Sequence, residues 1–378
     1  MTDYYSDFFR VVKDDPDSKA RAGVIKTPHG LVPTPAFMAV GTRGTVKAMG
    51  PDDLAKVGCK IILANAYHLY LRPGLEVIKK FGGLRRFMGW EGPILTDSGG
   101  YQVFSLAAIR KLTPEGVTFR SPYDGALTFF SPETAVMAQR DLGVDIYMCL
   151  DECAPYPAEE SATAKSLDLT LNWATRSRKT WDPSLGQALF GIVQGGFYPD
   201  LRKKAALAIR DLDFPGHSIG GLALGEPFSD RLTAIETAQK LLPKDKPLYL
   251  MGLGQPKDIV AGILRGADLF DCVLPTRNAR NGQFFTRKGK VNILNARHKD
   301  DLSPVDAKCH CYACQNFSRS YLRHLLQNHE PLFSRLATIH NLTYYQDLVT
   351  QAREAILAGS LAEFVQEFEA SQTSGEPT

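Results

Sequence analysis

"DLFDCVLP", residues 268–275, reads as an apolar run with one carboxylate, Asp271, inside it. A strand with one wet face alternates apolar and polar residues, whereas a strand covered on both faces is apolar throughout. This run is of the second kind, and it has company. "TPAFMAVG" (34–41), "KIILANAY" (60–67), "PILTDSGG" (93–100), "DIYMCLDE" (145–152), "ALFGIVQGG" (188–196), "HSIGGLAL" (217–224) and "PLYLMGLG" (247–254) share its character, which makes eight. Between them lie stretches with helical spacing, among them "GLEVIKKFGGLRRFMG", "SPETAVMAQRDLG", "LRKKAALAIRDLD", "RLTAIETAQKLLP" and "PKDIVAGILRGA". Ser131 before Pro132 supplies an N-cap and first-turn pair, and Gly143 ends the same helix. Eight alternations predict an α/β fold, a (β/α)8 TIM barrel; an open doubly wound sheet fits eight units less well.

Two segments depart from the repeat. Residues 105–130 follow the third strand as a Pro/Gly-punctuated insertion, with "GVTFRSPYDGALTFFS" reading as a hairpin. After residue 276, "RNGQFFTRKGKVNIL" reads as a second hairpin, followed by a cysteine cluster and helices. The expected organisation is a barrel over 1–275, including the insertion, and a zinc-binding subdomain with a basic hairpin over 276–345. A C-terminal helix packing on the barrel follows over 346–370, then a disordered tail over 371–378.

The totals are those of a soluble globular chain: 378 residues, 44% hydrophobic and 22% charged. A net charge of +3 demands no polyanionic partner, so any basic footprint has to be local. "MTDYYSDFFRVVKDDPDSKAR" lacks the apolar core of a signal peptide, and no run approaches 18 apolar residues. An odd count of seven cysteines with one tight cluster suggests a metal in a reducing compartment, hence a cytoplasmic protein with no membrane partner.

Active sites of such barrels sit at the C-terminal ends of the strands. Here those ends read "TDSGGYQ", "LDECAP", "VQGG", "GGLALGE", "MGLGQP" and "FDCVLP". One strand-end aspartate is more often a helix cap than a catalyst. Three of them (Asp97, Asp151 and Asp271), converging with Gln194 on one mouth, point to a reacting centre. The pairs Gly99–Gly100, Gly195–Gly196 and Gly220–Gly221 each fit a tight turn, and together they leave room for a flat ligand. An acid and an amide beside backbone N–H groups match a purine edge. Two further acids suit displacement at a sugar carbon, one as nucleophile and one managing protons. There is no Walker A sequence, and "GLGQPK" has too few glycines for a dinucleotide fingerprint.

"KCHCYACQ" places Cys309, Cys311 and Cys314 at C-x-C-x2-C spacing. A tetrahedral structural zinc site needs a fourth ligand, and His310, His324, His329 and His340 are all near in sequence. His310 is squeezed between two ligands; His340 ends "PLFSRLATIH", a helical stretch able to fold back over the loop. Residues 277–299 hold seven Lys or Arg and no acid. Such a run is usually a solvated face, but this one starts at the rim of the mouth, just after Asp271.

Together "DSGGYQVFS", "DECAP", "GIVQGG", "GGLALGE", "FDCVLPTRNAR" and "CHCYAC" resemble the motif set of the bacterial tRNA-guanine transglycosylases, over roughly residues 10–370. The resemblance implies a homodimeric enzyme of queuosine biosynthesis with a zinc subdomain on a TIM barrel. Its implied reaction replaces guanine 34 of tRNAs with a GUN anticodon by 7-aminomethyl-7-deazaguanine (preQ1). Position by position it implies Asp271 as nucleophile on the ribose and Asp97 as general acid/base. Asp151, Gln194 and the Gly221 N–H hold the base, with Tyr101 stacking on one side and Met251 packing on the other. The Leu222 carbonyl, supported by Glu226, accepts from the aminomethyl group. Arg277 and Arg280 grip the anticodon loop, and Cys309, Cys311, Cys314 and His340 hold a structural Zn2+. One departure is Leu224 in "GGLALGE", where many bacterial members carry a smaller Val; the bulk argues against queuine as the incoming base.

Two other readings compete. A retaining glycoside hydrolase on the same barrel needs aromatic sugar platforms, whereas Tyr101 is the one aromatic beside the acids in sequence. A noncatalytic zinc-containing RNA-binding protein accounts for the thiols and arginines and leaves the three aspartates idle.

Overall fold

The computed structural model describes residues 7–100 and 110–373. All eight apolar runs form parallel strands: β1 Ala36–Val40, β2 Ile62–Asn65, β3 Ile94–Asp97, β4 Ile146–Met148, β5 Ala188–Val193, β6 Gly216–Ile219, β7 Leu248–Leu250 and β8 Leu269–Cys272. Each pairs with the next and β8 pairs with β1, so the sheet closes into a barrel. The lack of alternation has its cause here. All six residues of β5 are buried, between the barrel interior on one side and helices on the other.

The helices obey local rules. Ser131 Oγ accepts from Thr134 N at 3.1 Å, and Gly143, in the left-handed region at φ 67°, ends that helix, Pro132–Leu142. "GLEVIKKFGGLRRFMG" is two short helices, Leu75–Lys80 and Leu84–Met88, because Gly82 and Gly83 both take positive φ between them. The longest helix between barrel strands, Glu160–Thr180, is absent from the helical stretches named above. Its buried face carries Thr163, Ser166, Thr170 and Ser177, so hydroxyls interrupt the apolar period.

The insertion is larger than a hairpin: Arg110–Thr113, Gly116–Arg120 and Leu127–Phe130 make a three-stranded antiparallel sheet. A second such sheet, Phe9–Asp14, Arg21–Thr27 and Gly30–Thr34, precedes the barrel. It is pinned to the start of β8 by Arg21, which donates to Asp268 from Nε (3.1 Å) and Nη2 (2.6 Å).

The C-terminal hairpin forms as expected, from Gln283–Thr286 and Gly289–Asn292. Beyond the cysteines a 28-residue helix, Pro331–Ala358, runs without a break through residues 345 and 346. It packs on the barrel: Gln346 Nε2 donates to the Phe37 carbonyl at 3.0 Å, and the Phe37 and Tyr345 rings lie 4.7 Å apart. A last helix, Leu361–Thr373, continues past residue 371, where the tail was expected to begin. Among the described residues no helix is long and apolar enough to cross a membrane.

Candidate active site

The C-terminal mouth of the barrel opens into a cavity of about 590 Å³. Asp97, Asp151, Gln194, Gly221, Leu222, Met251, Asp271 and Arg277 all line it. Residues far apart in the chain meet there because each follows or ends its own strand. Tyr101, expected to stack on the base, lies outside the described residues.

Asp151 and Gln194 act as a pair. Gln194 Nε2 donates to Asp151 Oδ2 at 2.7 Å, which spends one amide hydrogen and leaves the second for a ligand. The glycines beside them make space for these side chains. A Cβ on Gly100 would lie 2.5 Å from the Asp151 carbonyl oxygen and 2.6 Å from its Oδ1, and one on Gly220 would lie 2.5 Å from Gln194 Nε2. Burial pushes the Asp151 carboxyl up to about 6, against the opposing Gln194 hydrogen bond.

Asp271 is buried too, and burial raises its pKa while Tyr249 and Gly252 act the other way. Both donate to Oδ1, the tyrosine hydroxyl at 2.6 Å and the Gly252 N–H at 2.7 Å. Met251 stays half-buried at the wall, its Sδ accepting from Ser218 Oγ at 3.4 Å.

Glu226 sits behind the wall, fully committed to the turn that contains Leu222. Its Oε1 accepts from Ala223 N (2.7 Å) and Arg231 Nε (2.6 Å), and its Oε2 accepts from Leu224 N (2.7 Å). Arg231 also donates to Asp258 Oδ1 at 2.7 Å. Burial alone would raise the Glu226 pKa, but Arg231 and the backbone donors bring it below its ordinary value. A trans peptide sends N–H and C=O in opposite directions. With the Ala223 N–H turned to Glu226, the Leu222 carbonyl points away from that carboxylate.

Arg277 and Arg280 occupy a short helix, Leu274–Arg280, that starts with Pro275 in its first turn. Burial and then the neighbouring Arg277 lower the Arg280 pKa, so the two guanidinium groups repel each other unless an anion lies between. The rest of the basic run is partly spoken for. Arg287 pairs with Asp306 (3.3 Å) and Asp347 (3.1 Å), and Lys290 lies over the Phe285 ring.

Of the four candidate histidines, His340 joins the thiols. One donor atom from each of Cys309, Cys311, Cys314 and His340 lies within 4.8 Å of every other, and all four residues are buried. His340 Nδ1 is 3.2 Å from Cys314 Sγ and 3.7 Å from Cys311 Sγ. Its Nε2–H donates to the Phe285 carbonyl at 2.8 Å, which fixes the tautomer and leaves Nδ1 for a metal. Ligand atoms about 2.0–2.3 Å from a tetrahedral ion fall near these spacings. His310 is exposed and faces Asp347 at 3.7 Å instead.

Sequence reading missed Tyr249, Arg202 and Arg231. Arg202 is fully buried, donating to the carbonyls of Gly196 (2.6 Å), Val193 (2.9 Å) and Gly221 (3.5 Å), so one guanidinium ties the two loops that carry Gln194 and Gly221.

A family model described as "Queuine tRNA-ribosyltransferase" matches residues 15–374. Proteins named queuine tRNA-ribosyltransferase are similar along nearly their whole length. One from Thermoanaerobacter pseudethanolicus is 52% identical over 360 residues, covering 95% of this chain and 96% of the relative. One from Francisella tularensis subsp. novicida is 53% identical over 354 residues, covering 93% and 96%.

Proposed function

The chain belongs to the queuine tRNA-ribosyltransferase family, transferases that act on tRNA, and from that premise we propose that it installs preQ1 in place of guanine 34 through a covalent aspartyl–ribose intermediate. The observation that carries this reading is the meeting of Asp97, Asp151, Gln194, Gly221 and Asp271 around one cavity of nucleobase-binding size.

The Asp151 carboxylate accepts from the ring and exocyclic N–H groups of a guanine-like base. The spare hydrogen on Gln194 Nε2 and the Gly221 N–H donate to its carbonyl. Met251 packs on one face, and Tyr101 is assigned the other. The Leu222 carbonyl, turned from Glu226, is free to accept from the aminomethyl group, and the half-buried Leu224 opposes a bulkier 7-substituent. Asp271, as the carboxylate, attacks the anomeric carbon while Asp97 gives a proton to the departing guanine. The incoming base then loses its glycosidic proton to Asp97 and displaces Asp271. Two inversions give net retention, and one glycosidic bond replaces another, so the exchange consumes no nucleotide cofactor.

Zinc is the metal we assign to Cys309, Cys311, Cys314 and His340, because three thiolates and an imidazole fill a tetrahedral site and leave no open position. When bound it supplies cross-linking of the subdomain. GUN-anticodon tRNAs, a homodimer and a cytoplasmic setting complete the proposal on the strength of the family resemblance, with Arg277 and Arg280 as anchors for the anticodon loop.

Incorporation of labelled guanine into substrate tRNA tests the reading. Asp271→Asn should lower exchange by about a thousandfold or more and abolish a denaturation-resistant protein–RNA adduct. Wild-type protein should incorporate preQ1 and leave queuine unused. Efficient queuine incorporation would overturn the choice of base; full exchange by Asp271→Asn would overturn the nucleophile.

A further inference from the structure

Among the described residues, both donors that meet the Asp271 side chain go to the same oxygen. Tyr249 Oη and the Gly252 N–H converge on Oδ1 at 2.6 and 2.7 Å. Gly252 reaches it from φ +72°, in the left-handed region, and a Cβ there would meet nothing within 4 Å. Backbone conformation rather than crowding therefore calls for glycine. Oδ2 has no donor among the described residues.

We propose that Tyr249 is a positioning residue for the exchange: with the Gly252 N–H it holds Oδ1, so that Oδ2 attacks the sugar and Oδ1 becomes the ester carbonyl oxygen, still in the same clasp. The inference rests on Asp271 being the nucleophile. In the first displacement the Oδ2–C1′ bond forms and the C1′–N bond to guanine breaks, its electron pair and a proton from Asp97 leaving with the base. In the second, the incoming base gives its glycosidic proton to Asp97 and bonds to C1′, and the Oδ2–C1′ pair returns to Asp271. Two donors on one oxygen favour the carboxylate over the less charged ester. They restrain the attack somewhat and make Asp271 the better leaving group in the return step.

Tyr249 meets the carboxylate as a protonated donor. Burial first, then the charges of Asp271 and Asp97, push its pKa well above the ordinary phenol value. Among the described residues, the titratable groups that share the cavity with Asp271 include Cys272 beside it, Arg277 on the next helix, Asp97 across the cavity, and Asp151, Cys153, Arg231 and Asp258 elsewhere on its wall. Its partner on β1 is Met38, which does not titrate.

The test is Tyr249→Phe, which keeps the ring, with adduct formation followed against pH at saturating tRNA. Asp151 is the same in both proteins, so a difference between their profiles reports on Asp271. Loss of one hydrogen bond to the carboxylate should move the acid limb up by about one pH unit. The adduct should also form a larger share of the protein at steady state. A stronger donor, 3,5-difluorotyrosine introduced at position 249, should move the limb down, and it decides the matter if Tyr249→Phe folds poorly. An unchanged limb and unchanged adduct share in a folded variant would overturn the proposal. Adduct formation by Asp271→Asn would instead remove the nucleophile assignment, and this inference with it.

Discussion

In the proposed exchange Asp151 accepts from a base as an anion, yet it sits where anions are penalised. Its folded-state pKa of about 6 lies above the ordinary 3.8. The sign follows: its contribution to stability is fully present below about pH 4 and is lost as pH rises through about 6, leaving a buried charge at neutral pH. Two pKa units correspond to roughly 3 kcal/mol. Asp151→Asn should therefore melt higher than wild type at pH 8, with the gap closing by pH 4, while base affinity falls. Wild-type base binding should weaken as pH drops below 6; titration calorimetry across pH 5–8 would check it. Arg202 poses the opposite problem, a buried cation whose pKa burial lowers to about 10. Arg202→Met takes the guanidinium donor from the Gly196 and Gly221 carbonyls, while the Val193 carbonyl keeps the Gly220 N–H at 3.0 Å, so stability should fall by about 3 kcal/mol in denaturant melts and KM for the base should rise. The strand-end acids were legible because a carboxylate stands out in an apolar run. Arg202 was not: in "LRKKAALAIRDLD" it precedes two exposed lysines, Lys203 and Lys204, and only its phase with Ala205, Ala206 and Ile209 marks it as inward. Tyr249 hides differently, its apolar body passing as strand core.

Single elements were legible where one rule governs them. All eight barrel strands follow from continuous apolar runs, and the Ser131 cap from its neighbours. Glu160–Thr180 escaped because its hydroxyls satisfy backbone carbonyls: Thr163 donates to Glu159 O at 3.0 Å and Thr170 to Glu152 O at 3.2 Å. These groups are buried without being apolar, so periodicity is blind to them. The glycine pairs illustrate a limit of another kind. Tight turns and room for a ligand were the two explanations in view, whereas Gly100 and Gly220 give way to Asp151 and Gln194, contacts that no local pattern encodes. Gly100→Ala should accordingly displace Asp151 and lower base affinity by about a hundredfold, with little change in the far-ultraviolet dichroism of the barrel. Fluorescence competition with a guanine analogue would measure it.

At the scale of the molecule, the helix Pro331–Ala358 joins the Cys309, Cys311, Cys314 and His340 cluster to the proposed reaction centre. His340 offers Nδ1 to the cluster. The next residue, Asn341, donates to the carbonyls of Pro275 and Gln283 at 3.0 Å each and accepts from Phe285 N at 3.0 Å. One turn on, Tyr345 donates to the Gly254 carbonyl, two residues past the Gly252 that contacts Asp271. Stripping the metal with a chelator should lower the melting temperature and raise hydrogen exchange first over residues 309–346. Activity should then fall through loss of adduct formation, with the barrel's secondary structure largely retained; an activity indifferent to full metal removal would contradict this coupling. The same helix sets how the chain can be cut. Eight strands ending at Cys272 look like a finished enzyme core, but Phe37 would lose the Tyr345 ring and Arg353 could no longer bond to the carbonyls of Gly23 and Thr34. A polypeptide stopped at residue 275 would come off the ribosome with every barrel strand made and an unsealed seam along β1, lacking the belt encoded at Pro331–Ala358.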